Sequence, residues 1–473
     1  MKDRIVFWDI LDWDQIRQYV FKFQRKIYSA SLLKEICRTK FLQKKFLHSK
    51  LLKLWITHQV IKFQKNYITS FERHKIFLEL SNIMQIKYKK ENSGVIKESK
   101  IFLIYTILNP EWEAYFSIQK KHHNFSITEL VRKISCIASR KYSSLYIVKI
   151  SLEHQLDLIY LSKITRRLNT FSLINDSVNH ILESGIIRTY KEFLTKKFFI
   201  LQYDERYDIK LSLLLLEALF SDFSTIFHSY IRKRQVLEIS FYSEVSCQYM
   251  RYLHNFIILD PEKSRIEDVR TLLQYWLYKI GIKKPVKRAK NLSKSLKVEL
   301  NHYLIIKNNN KNTRIYPSKY AQAYLLEIIS NIIKKMRNAS LILFIQLIST
   351  ILKRWKSYFS ICKCSEIFNR LDNLIFQKIR AWVFRRHSNW SKSNVKQKYF
   401  APIVDIKYYK RLYTGNWILS SSFESKNLDT AVFIVPKLRW HNCGIKFNTT
   451  NFSNSFHLNY LYRYGRYPNL NIL

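Results

Sequence analysis

Residues 248–260, QYMRYLHNFIILD, decide how the middle of this chain folds. Two short runs rich in aromatic and branched apolar residues flank a polar tip, Leu253-His254-Asn255, and this pattern is typical of a β-hairpin. A hairpin that displays a polar tip is often where an enzyme holds its catalytic acids. The stretch therefore predicts a strand pair, but its tip contains no acid. This raises the question of why the acids are missing.

Strand-like and helix-like runs alternate around the hairpin. SSLYIVKIS (143–151) and VLEISFYSEV (236–245) are rich in β-branched and aromatic residues, whereas LSLLLLEALFSDF (211–223) favours a helix. With only 6 Gly and 7 Pro, helices joined by ordinary loops should dominate, and the chain is predicted to be a helix-rich α+β protein. It has no glycine-rich phosphate loop, so no cofactor is expected.

The charge balance indicates a polyanionic partner. The chain of 473 residues has 81 Lys and Arg against 35 Asp and Glu, a formal net charge of +46. Cations that neutralise phosphates release condensed counterions, so nucleic acid is the expected partner and an anionic membrane surface is the alternative. The aromatic content of 15% excludes a disordered basic protein. The longest apolar stretch, residues 338–352, is too short for a membrane span, so no membrane insertion is expected.

The first 75 or so residues predict a basic helical module. Asp12 is a candidate N-cap, because apolar residues follow it at helical spacing, and a second basic run extends over CRTKFLQKKFLHSKLLKLW (37–55).

The N-terminus is unlike a signal or transit peptide, so the protein is expected to work in the compartment where it is made. The six cysteines are scattered without zinc spacing, and no metal site is predicted.

Near the C-terminus, SEIFNRLDNLIFQKIRAWVFRR (365–386) predicts a long helix with one apolar stripe and basic residues largely elsewhere. The segment RRHSNWSKSNVKQKYF (385–400) then interleaves basic side chains with Trp390, Tyr399 and Phe400. Charge for phosphates and rings for stacking on unpaired bases are the composition that RNA binding requires.

Taken in order, these segments resemble the group II intron reverse transcriptase/maturase family nearly end to end. LNPEWEAYF (108–116) is close to the family's ALEPEWEARF, RIYPSK (314–319) resembles the entry to its thumb, or X, domain, and VKQKYF (395–400) resembles part of the X-domain core. The resemblance implies a degenerate reverse-transcriptase finger/palm followed by an all-α thumb/X (maturase) domain. The implied domains are a basic helical N-terminal extension (1–75), the finger/palm (76–318), the X domain (319–410) and a C-terminal extension of unassigned role (411–473).

The hairpin of residues 248–260 lines up with the family pattern V-R-Y-A-D-D-F-V-I-L. Leu253, His254 and Asn255 stand where that pattern has Ala-Asp-Asp, Ser151 falls at the expected first aspartate, and Asp157 is the acid kept from a second acidic position. Polymerisation needs clustered carboxylates to hold two Mg²⁺ ions. The resemblance therefore implies a palm retained as scaffold, with neither reverse transcriptase activity nor a metal.

In the family, the N-terminal helices and the X domain bind intron RNA, and the RNA itself performs the transesterification. The resemblance implies a maturase that stabilises the folded intron within pre-mRNA, with host splicing factors as further candidate partners. The candidate RNA-binding residues are Gln24, Arg25, Lys26, Lys44, Lys45, Arg354, Lys356, Tyr358, Arg380, Arg385, Arg386, His387, Lys392, Lys396, Lys398 and Tyr399.

Two alternatives stay open. A general organellar RNA-binding or ribosome-associated protein descended from a maturase would carry the same residues, and an active reverse transcriptase would need Glu153, Asp157 or Asp260 to rebuild a metal site. The preference for Ile, Lys, Phe, Tyr and Asn is typical of an AT-rich coding genome, and the chain most resembles the intron-encoded maturase-like proteins of euglenid chloroplasts. We therefore expect an organelle-encoded protein of the plastid, with the mitochondrion as second choice.

Overall fold

A computed structural model of the protein describes residues 8–63, 69–81, 94–119, 127–139, 145–196, 206–237, 247–292, 297–300, 302–307, 313–362, 364–387, 389–400, 406–408, 411–413, 417–424 and 430–440. The chain divides into two compact units. The first comprises residues 1–125 and 144–291, and the second comprises residues 126–143 and 292–473.

Helices account for most of the described residues. They are α1 (Trp13–Leu32), α2 (Ile36–Leu47), α3 (Lys50–Phe63), α4 (Ser70–Ser81), α5 (Gly94–Gln119), α6 (Ile127–Ser139), α7 (Leu161–Leu168), α8 (Ser172–Glu183), α9 (Ile186–Lys196), α10 (Tyr207–Leu237), α11 (Lys263–Lys279), α12 (Lys319–Lys335), α13 (Leu341–Tyr358), α14 (Ser365–Arg386) and α15 (Lys392–Tyr399).

The described strands are short and pair in antiparallel fashion. They are β1 (Tyr146–Ser151), β2 (Gln248–Tyr252), β3 (Asn255–Asp260), β4 (Lys290–Asn291), β5 (Lys297–Leu300), β6 (Tyr303–Lys307), β7 (Thr313–Pro317), β8 (Ile406–Tyr408), β9 (Arg411–Tyr413), β10 (Ser420–Glu424) and β11 (Thr430–Ile434).

In the first unit, the N-terminal helices pack around α5. The side chain of Asp12 accepts hydrogen bonds from the N–H groups of Asp14 (3.0 Å) and Gln15 (3.1 Å), which satisfies two of the unpaired donors at the start of α1. Ile16, Val20, Phe23 and Ile27 are buried, so the predicted cap and apolar stripe are confirmed. Helices α1, α2, α3 and α4 each contact α5, so the basic N-terminal helices are part of the core of this unit.

A four-stranded sheet forms the other part of the first unit, with strand order β2-β3-β1-β4. Helix α11 packs against β1 and β3. Rings from α10, the sheet and α11 interlock in the core. Phe223 lies 5.3 Å from Tyr249 and 5.4 Å from Trp276, and Phe220 lies 5.5 Å from Phe256, measured between ring centroids. The predicted hairpin is confirmed as β2 and β3, and the strand predicted over 143–151 is confirmed from Tyr146.

The strand predicted over 236–245 is wrong at its start. Val236 and Leu237 are the last residues of α10, where the preceding run IRKRQ favours helix and extends the backbone ladder into them. The remainder of that prediction, residues 238–245, lies outside the described residues. The helix predicted over LSLLLLEALFSDF lies within α10 and is confirmed.

The second unit combines helices with small sheets. Strands β5, β6 and β7 form a sheet against which α6 packs. Ser318 caps α12 by accepting a hydrogen bond from the N–H of Ala321 (3.2 Å), and the helix begins at the next residue, Lys319. Helix α14 packs against α12 and α15, while α13 packs against the β10–β11 hairpin.

The apolar stripe predicted on α14 faces the interior of the second unit. Its buried residues are Phe368, Leu371, Ile375, Ile379, Trp382 and Val383, and Ile367 and Leu374 are half-buried at its edge. The predicted all-α character of residues 319–410 is wrong at its end, because β8 lies there. Ile406 pairs with Tyr413, and the alternating apolar residues of this segment suit a hairpin rather than a helix.

A helix-rich α+β architecture with small antiparallel sheets is thus confirmed. The domain divisions at residues 75, 318 and 410 stay predictions. Within the described ranges, no helix has an apolar stretch long enough to cross a bilayer.

Candidate functional site

The tip of the β2–β3 hairpin is a two-residue loop. Tyr252 pairs with Asn255, which leaves Leu253 and His254 to make the turn. Leu253 has φ +51°, a left-handed conformation that two-residue hairpin turns require and that costs a leucine about 1–2 kcal/mol. Packing of the flanking strands therefore holds this turn against the preference of its own sequence.

The sheet brings the predicted palm positions together. Strand β3 pairs with β1 so that Ser151 lies directly opposite Asn255, and the N–H of Leu152 donates to the carbonyl of His254 (3.1 Å). Asn255 and His254 are both buried. Ser151, His254 and Asn255 are therefore neighbours, and these three side chains supply no carboxylate to the hairpin tip.

His254 is held in its neutral form. Burial, followed by the nearby His154, lowers the pKa of His254 to about 4. The carboxylate of Glu153 lies 3.9 Å from its Nε2, but that carboxylate is one-third exposed, so solvent weakens the attraction that would raise the pKa. The buried Nδ1 of His254 has no hydrogen-bond partner among the described residues.

Two further carboxylates near this site in sequence, Asp157 and Asp260, are engaged by cations. Asp157 accepts a hydrogen bond from Lys191 (2.9 Å), which lowers the pKa of Asp157. Asp260 is fully buried and accepts two hydrogen bonds from Arg265, at 2.6 and 2.9 Å.

A buried ion pair lies beneath the hairpin. The guanidinium of Arg251 donates to the carboxylate of Glu217 (2.7 Å) and to the carbonyl of Leu253 (3.1 Å). Arg251 is 1% exposed, and the Glu217 side chain is 9% exposed. The pair therefore ties α10 to the hairpin tip.

No group of three or more His, Cys, Asp or Glu side chains in the described ranges is placed to hold a metal ion. The five cysteines within those ranges, Cys37, Cys136, Cys247, Cys362 and Cys364, are free thiols.

On the N-terminal helices, the predicted cations reach solvent. Arg25 and Lys26 are exposed on α1, and Lys44 and Lys45 are exposed in the last turn of α2. Gln24 differs from them because it is half-buried, and its amide donates to the carbonyl of Thr106 on α5 (3.4 Å). The structure gives Gln24 a packing contact, and its role in RNA binding stays a prediction.

Gln43 makes a similar link to the PEWEA segment. Its amide donates to the carboxylate of Glu111 (2.7 Å), and Gln43 is buried. Burial raises the pKa of Glu111, and the bond from Gln43 opposes that rise. The glutamines of the two basic helices thus both fasten those helices to α5.

On α13, the predicted residues are less accessible. Arg354 and Lys356 are half-buried, and burial lowers the pKa of Lys356 to about 8, with Asp372 opposing the decrease. Tyr358 is buried, and its ring stacks on that of Tyr303 at 5.2 Å. A ring packed in this way supports the domain, and RNA contact by Tyr358 stays a prediction.

Five of the candidate cations are exposed on α14 and α15, and we call these five the α14–α15 surface. None of the five forms an ion pair within the described part of the chain. Residues 365–400 carry eight Lys and Arg against two acidic residues, Glu366 and Asp372. The members of the surface are Arg380, Arg385, Lys392, Lys396 and Lys398.

The remaining candidates on these two helices, Arg386, His387 and Tyr399, make contacts within the second unit. Arg386 donates to the carbonyl of Ala339 (2.8 Å). His387 stacks on Trp390 at 4.3 Å and shares a hydrogen bond with the hydroxyl of Tyr399 (2.6 Å). Tyr399 is buried, so the structure gives its ring a packing role, and its part in RNA binding stays a prediction.

Trp417 lies beside this surface, in the C-terminal extension (411–473) for which no role was predicted from the sequence. The Nζ of Lys396 is 4.8 Å from the centre of the Trp417 ring, and the guanidinium of Arg380 is 5.8 Å from it. A tryptophan among basic residues in the sequence would indicate RNA binding. The segment around Trp417, GNWILS (415–420), contains no basic residue, so this signal is absent. Only the fold brings the cations to Trp417.

The fold and these sites define a helix-rich α+β protein with small antiparallel sheets and a strongly cationic helical surface. Comparison with family models identifies two of its domains. Residues 8–69 match the N-terminal domain of reverse transcriptase, and residues 323–400 match the maturase-specific domain of group II introns. The chain therefore carries one segment similar to the N-terminal domain of reverse transcriptase and one similar to the maturase-specific domain of group II introns.

All sixteen candidate RNA-binding residues lie within these two matched ranges, whereas Trp417 lies outside both. The maturase-specific domain implies that the partner is intron RNA. A comparison with curated proteins gave no match.

Proposed function

We propose that this protein is a maturase, which binds the folded RNA of a group II or group II-derived intron and promotes its splicing without acting as a reverse transcriptase. The observation that carries the proposal is the α14–α15 surface, whose exposed cations lie within the matched maturase-specific domain. The protein contributes binding energy and positive charge, and the RNA performs the bond exchange.

Electrostatics favours RNA as the ligand of this surface. Five exposed cations without ion-pair partners in the described ranges are free to contact phosphates. Each phosphate that they neutralise releases condensed counterions, so affinity should fall steeply with salt. Long basic side chains on two adjoining helices can follow the backbone of a folded RNA without reading its base sequence.

The palm supports the second half of the proposal. Two Mg²⁺ ions require several carboxylates at one point, and the hairpin tip instead carries a neutral His254 and a buried Asn255 opposite Ser151. Of the three acids from which an active enzyme could rebuild a metal site, Asp157 and Asp260 are held by Lys191 and Arg265, and the third is Glu153. We propose that this sheet serves as scaffold.

Crosslinking in the source organelle tests the proposal. RNA crosslinked to the full-length protein is sequenced, and we expect enrichment of one intron or a few. The enriched intron is then transcribed and spliced in vitro with and without the protein, and we expect faster splicing with it. Broad occupancy of ribosomal RNA without intron enrichment would instead favour a general organellar RNA-binding or ribosome-associated protein.

A primer-extension assay tests the absence of polymerisation. The full-length protein is given an RNA template, an annealed primer, nucleotides and either Mg²⁺ or Mn²⁺. We expect no cDNA above background, with an active reverse transcriptase as positive control. Robust cDNA synthesis would overturn this half of the proposal.

We further propose that the protein is plastid-encoded and works in the plastid, with the mitochondrion as second choice, and that its relatives include the maturase-like proteins of euglenid chloroplasts. The bias toward Ile, Lys, Phe, Tyr and Asn supports an AT-rich organellar genome. Hybridisation of the coding sequence to purified plastid and mitochondrial DNA tests this. A signal confined to nuclear DNA would contradict it.

A further inference from the structure

A cleft of about 380 Å³ opens along one side of α14, within the second unit. Helix α14 contributes Asn373, Phe376 and Arg380 to its wall, and residues C-terminal to the matched domain contribute Trp417 and Lys437. The cleft is therefore built jointly by the maturase-specific domain and the segment that follows it.

Asp372 fixes the far wall of the cleft. Its carboxylate accepts hydrogen bonds from the N–H groups of Leu438 (2.7 Å) and Arg439 (3.1 Å), so residues 437–439 are held against α14. Backbone N–H groups aimed at a carboxylate make stronger hydrogen bonds than neutral pairs do. The positions of Lys437 and Arg439 are thus set by this contact.

Trp417 forms an aromatic wall. Its ring lies 5.5 Å from that of Phe400 and 6.1 Å from that of Phe376, and it is half-buried. Its φ of +64° is a left-handed conformation that a tryptophan rarely adopts, and such strain persists only where the surrounding structure imposes it. The fold therefore holds this ring at the edge of the cleft.

Two asparagines of the lining offer amides that are not engaged within the described ranges. The side-chain amides of Asn369 and Asn373 are exposed and make no hydrogen bond within the described part of the chain. Arg380 and Lys396 place two cations at the Trp417 ring, and Lys437 and Arg439 add two more to the lining of the cleft. An aromatic ring can stack on a base, and free amides can form hydrogen bonds with the edge of that base. The cations can bind the phosphate of the same nucleotide.

We propose that this cleft binds a single unpaired nucleotide of the RNA, stacked against Trp417, with its base edge at Asn369 and Asn373 and its phosphate at Arg380 and Lys437. The inference rests on the proposed function, because it names the feature of the RNA that the second unit recognises. The volume is in the range of small-ligand pockets and suits one nucleotide, whereas an RNA helix is too wide to enter.

Two RNA hairpins of equal length test the inference with the full-length protein. One is fully paired, and the other carries a single bulged uridine in its stem. We expect the wild-type protein to bind the bulged hairpin about tenfold more tightly, since stacking of one base contributes an effect of this size. Trp417→Ala should bind the two hairpins equally, while its affinity for the paired hairpin stays within twofold of wild type.

Asn373→Ala provides an independent variant, because its amide has no partner in the described structure whose loss would unfold the protein. Gln377→Ala, an exposed amide on the same helix that does not line the cleft, is its matched control. We expect Asn373→Ala to reduce the preference for the bulge several-fold and Gln377→Ala to keep it. If circular dichroism shows that Trp417→Ala does not fold, the comparison of Asn373→Ala with Gln377→Ala tests whether the cleft causes the preference for the bulged hairpin.

The inference is overturned if the wild-type protein shows no preference for the bulged hairpin, or if folded Trp417→Ala and Asn373→Ala keep it. In both of those results the protein still binds RNA, so the proposed function stands. Failure of the wild-type protein to bind either hairpin at moderate salt would overturn the proposed function itself.

Discussion

Neutralising three lysines of α15 should remove a defined share of the salt dependence of RNA binding. Lys392, Lys396 and Lys398 are exposed, and none forms an ion pair within the described ranges. If each neutralises one phosphate of a helical RNA, each contributes about 0.9 to the slope of log affinity against log salt. The triple change of these lysines to Gln should therefore reduce that slope by about 2.7.

The same slope sets the change in affinity. A fourfold rise in salt, from about 50 to about 200 mM, should weaken binding of the wild-type protein roughly 40-fold more than it weakens binding of the variant. Fluorescence anisotropy of a labelled RNA hairpin, titrated with full-length protein at several salt concentrations, measures both slopes. The difference between them is the quantity of interest, because it does not depend on the absolute affinity.

A charge-matched control separates local contacts from net charge. Lys283, Lys284 and Lys287 are exposed in the first unit and belong to neither predicted binding surface. Changing these three lysines to Gln removes the same net charge, and we expect the slope to fall by less than about 0.5. An equal decrease in slope for both triple variants would refute the reasoning, because long-range attraction by the whole protein would then account for binding.

Three further predictions concern stability. Arg251→Met should destabilise the protein by about 3–5 kcal/mol in urea unfolding, because it leaves Glu217 buried without its partner, and the double change with Glu217→Leu should recover most of that loss. His254 should make stability fall as the pH decreases from about 6.5 to 4, by at most about 3 kcal/mol, since the unfolded chain binds a proton there that the folded chain excludes. Ser318→Ala should cost about 1 kcal/mol by removing the cap of α12, measured by thermal unfolding.

For each of these predictions, a specific result would contradict the physical reason given. A double variant no more stable than Arg251→Met would show that packing, and not the unpaired charge, causes the loss. A His254→Asn variant has no titrating side chain at this position, so its stability should fall less between about pH 6.5 and 4. An unchanged decrease would show that other groups cause the loss of stability at acid pH. Ser318→Thr, which keeps the hydroxyl, should retain most of the stability that Ser318→Ala loses, and equal losses would exclude the cap as the cause.

Local signals in the sequence were sufficient for the elements that local physics determines. Asp12 and Ser318 precede helices and cap them, and the stripe of α14 is buried because its spacing matches one helical face. The β2–β3 hairpin follows from two apolar runs around a polar tip. In each case the signal that predicts the element lies in residues close in sequence.

Accessibility was harder to predict because it depends on distant residues. Tyr358 and Tyr399 occur beside basic residues, which indicated stacking on RNA, yet Tyr303 and His387 pack against them. Gln24 was predicted among the RNA contacts of α1, but it reaches α5 across 82 positions of sequence. A polar or aromatic side chain on an amphipathic helix can serve either purpose, and only the tertiary partner decides between them.

The geometry of the palm also bears on the alternative of an active reverse transcriptase. Asp260 is five residues beyond Asn255 along β3, and a strand rises about 3.4 Å per residue, so its backbone lies about 17 Å from the hairpin tip. A metal there would also have to displace two charge-assisted hydrogen bonds from Arg265. Glu153 is near His254, but Asp157 is bound to Lys191. A metal pair needs carboxylates that converge, but the length of β3 separates Asp260 from the hairpin tip, and ion pairs already hold Asp260 and Asp157. These constraints support the proposal that the sheet serves as scaffold.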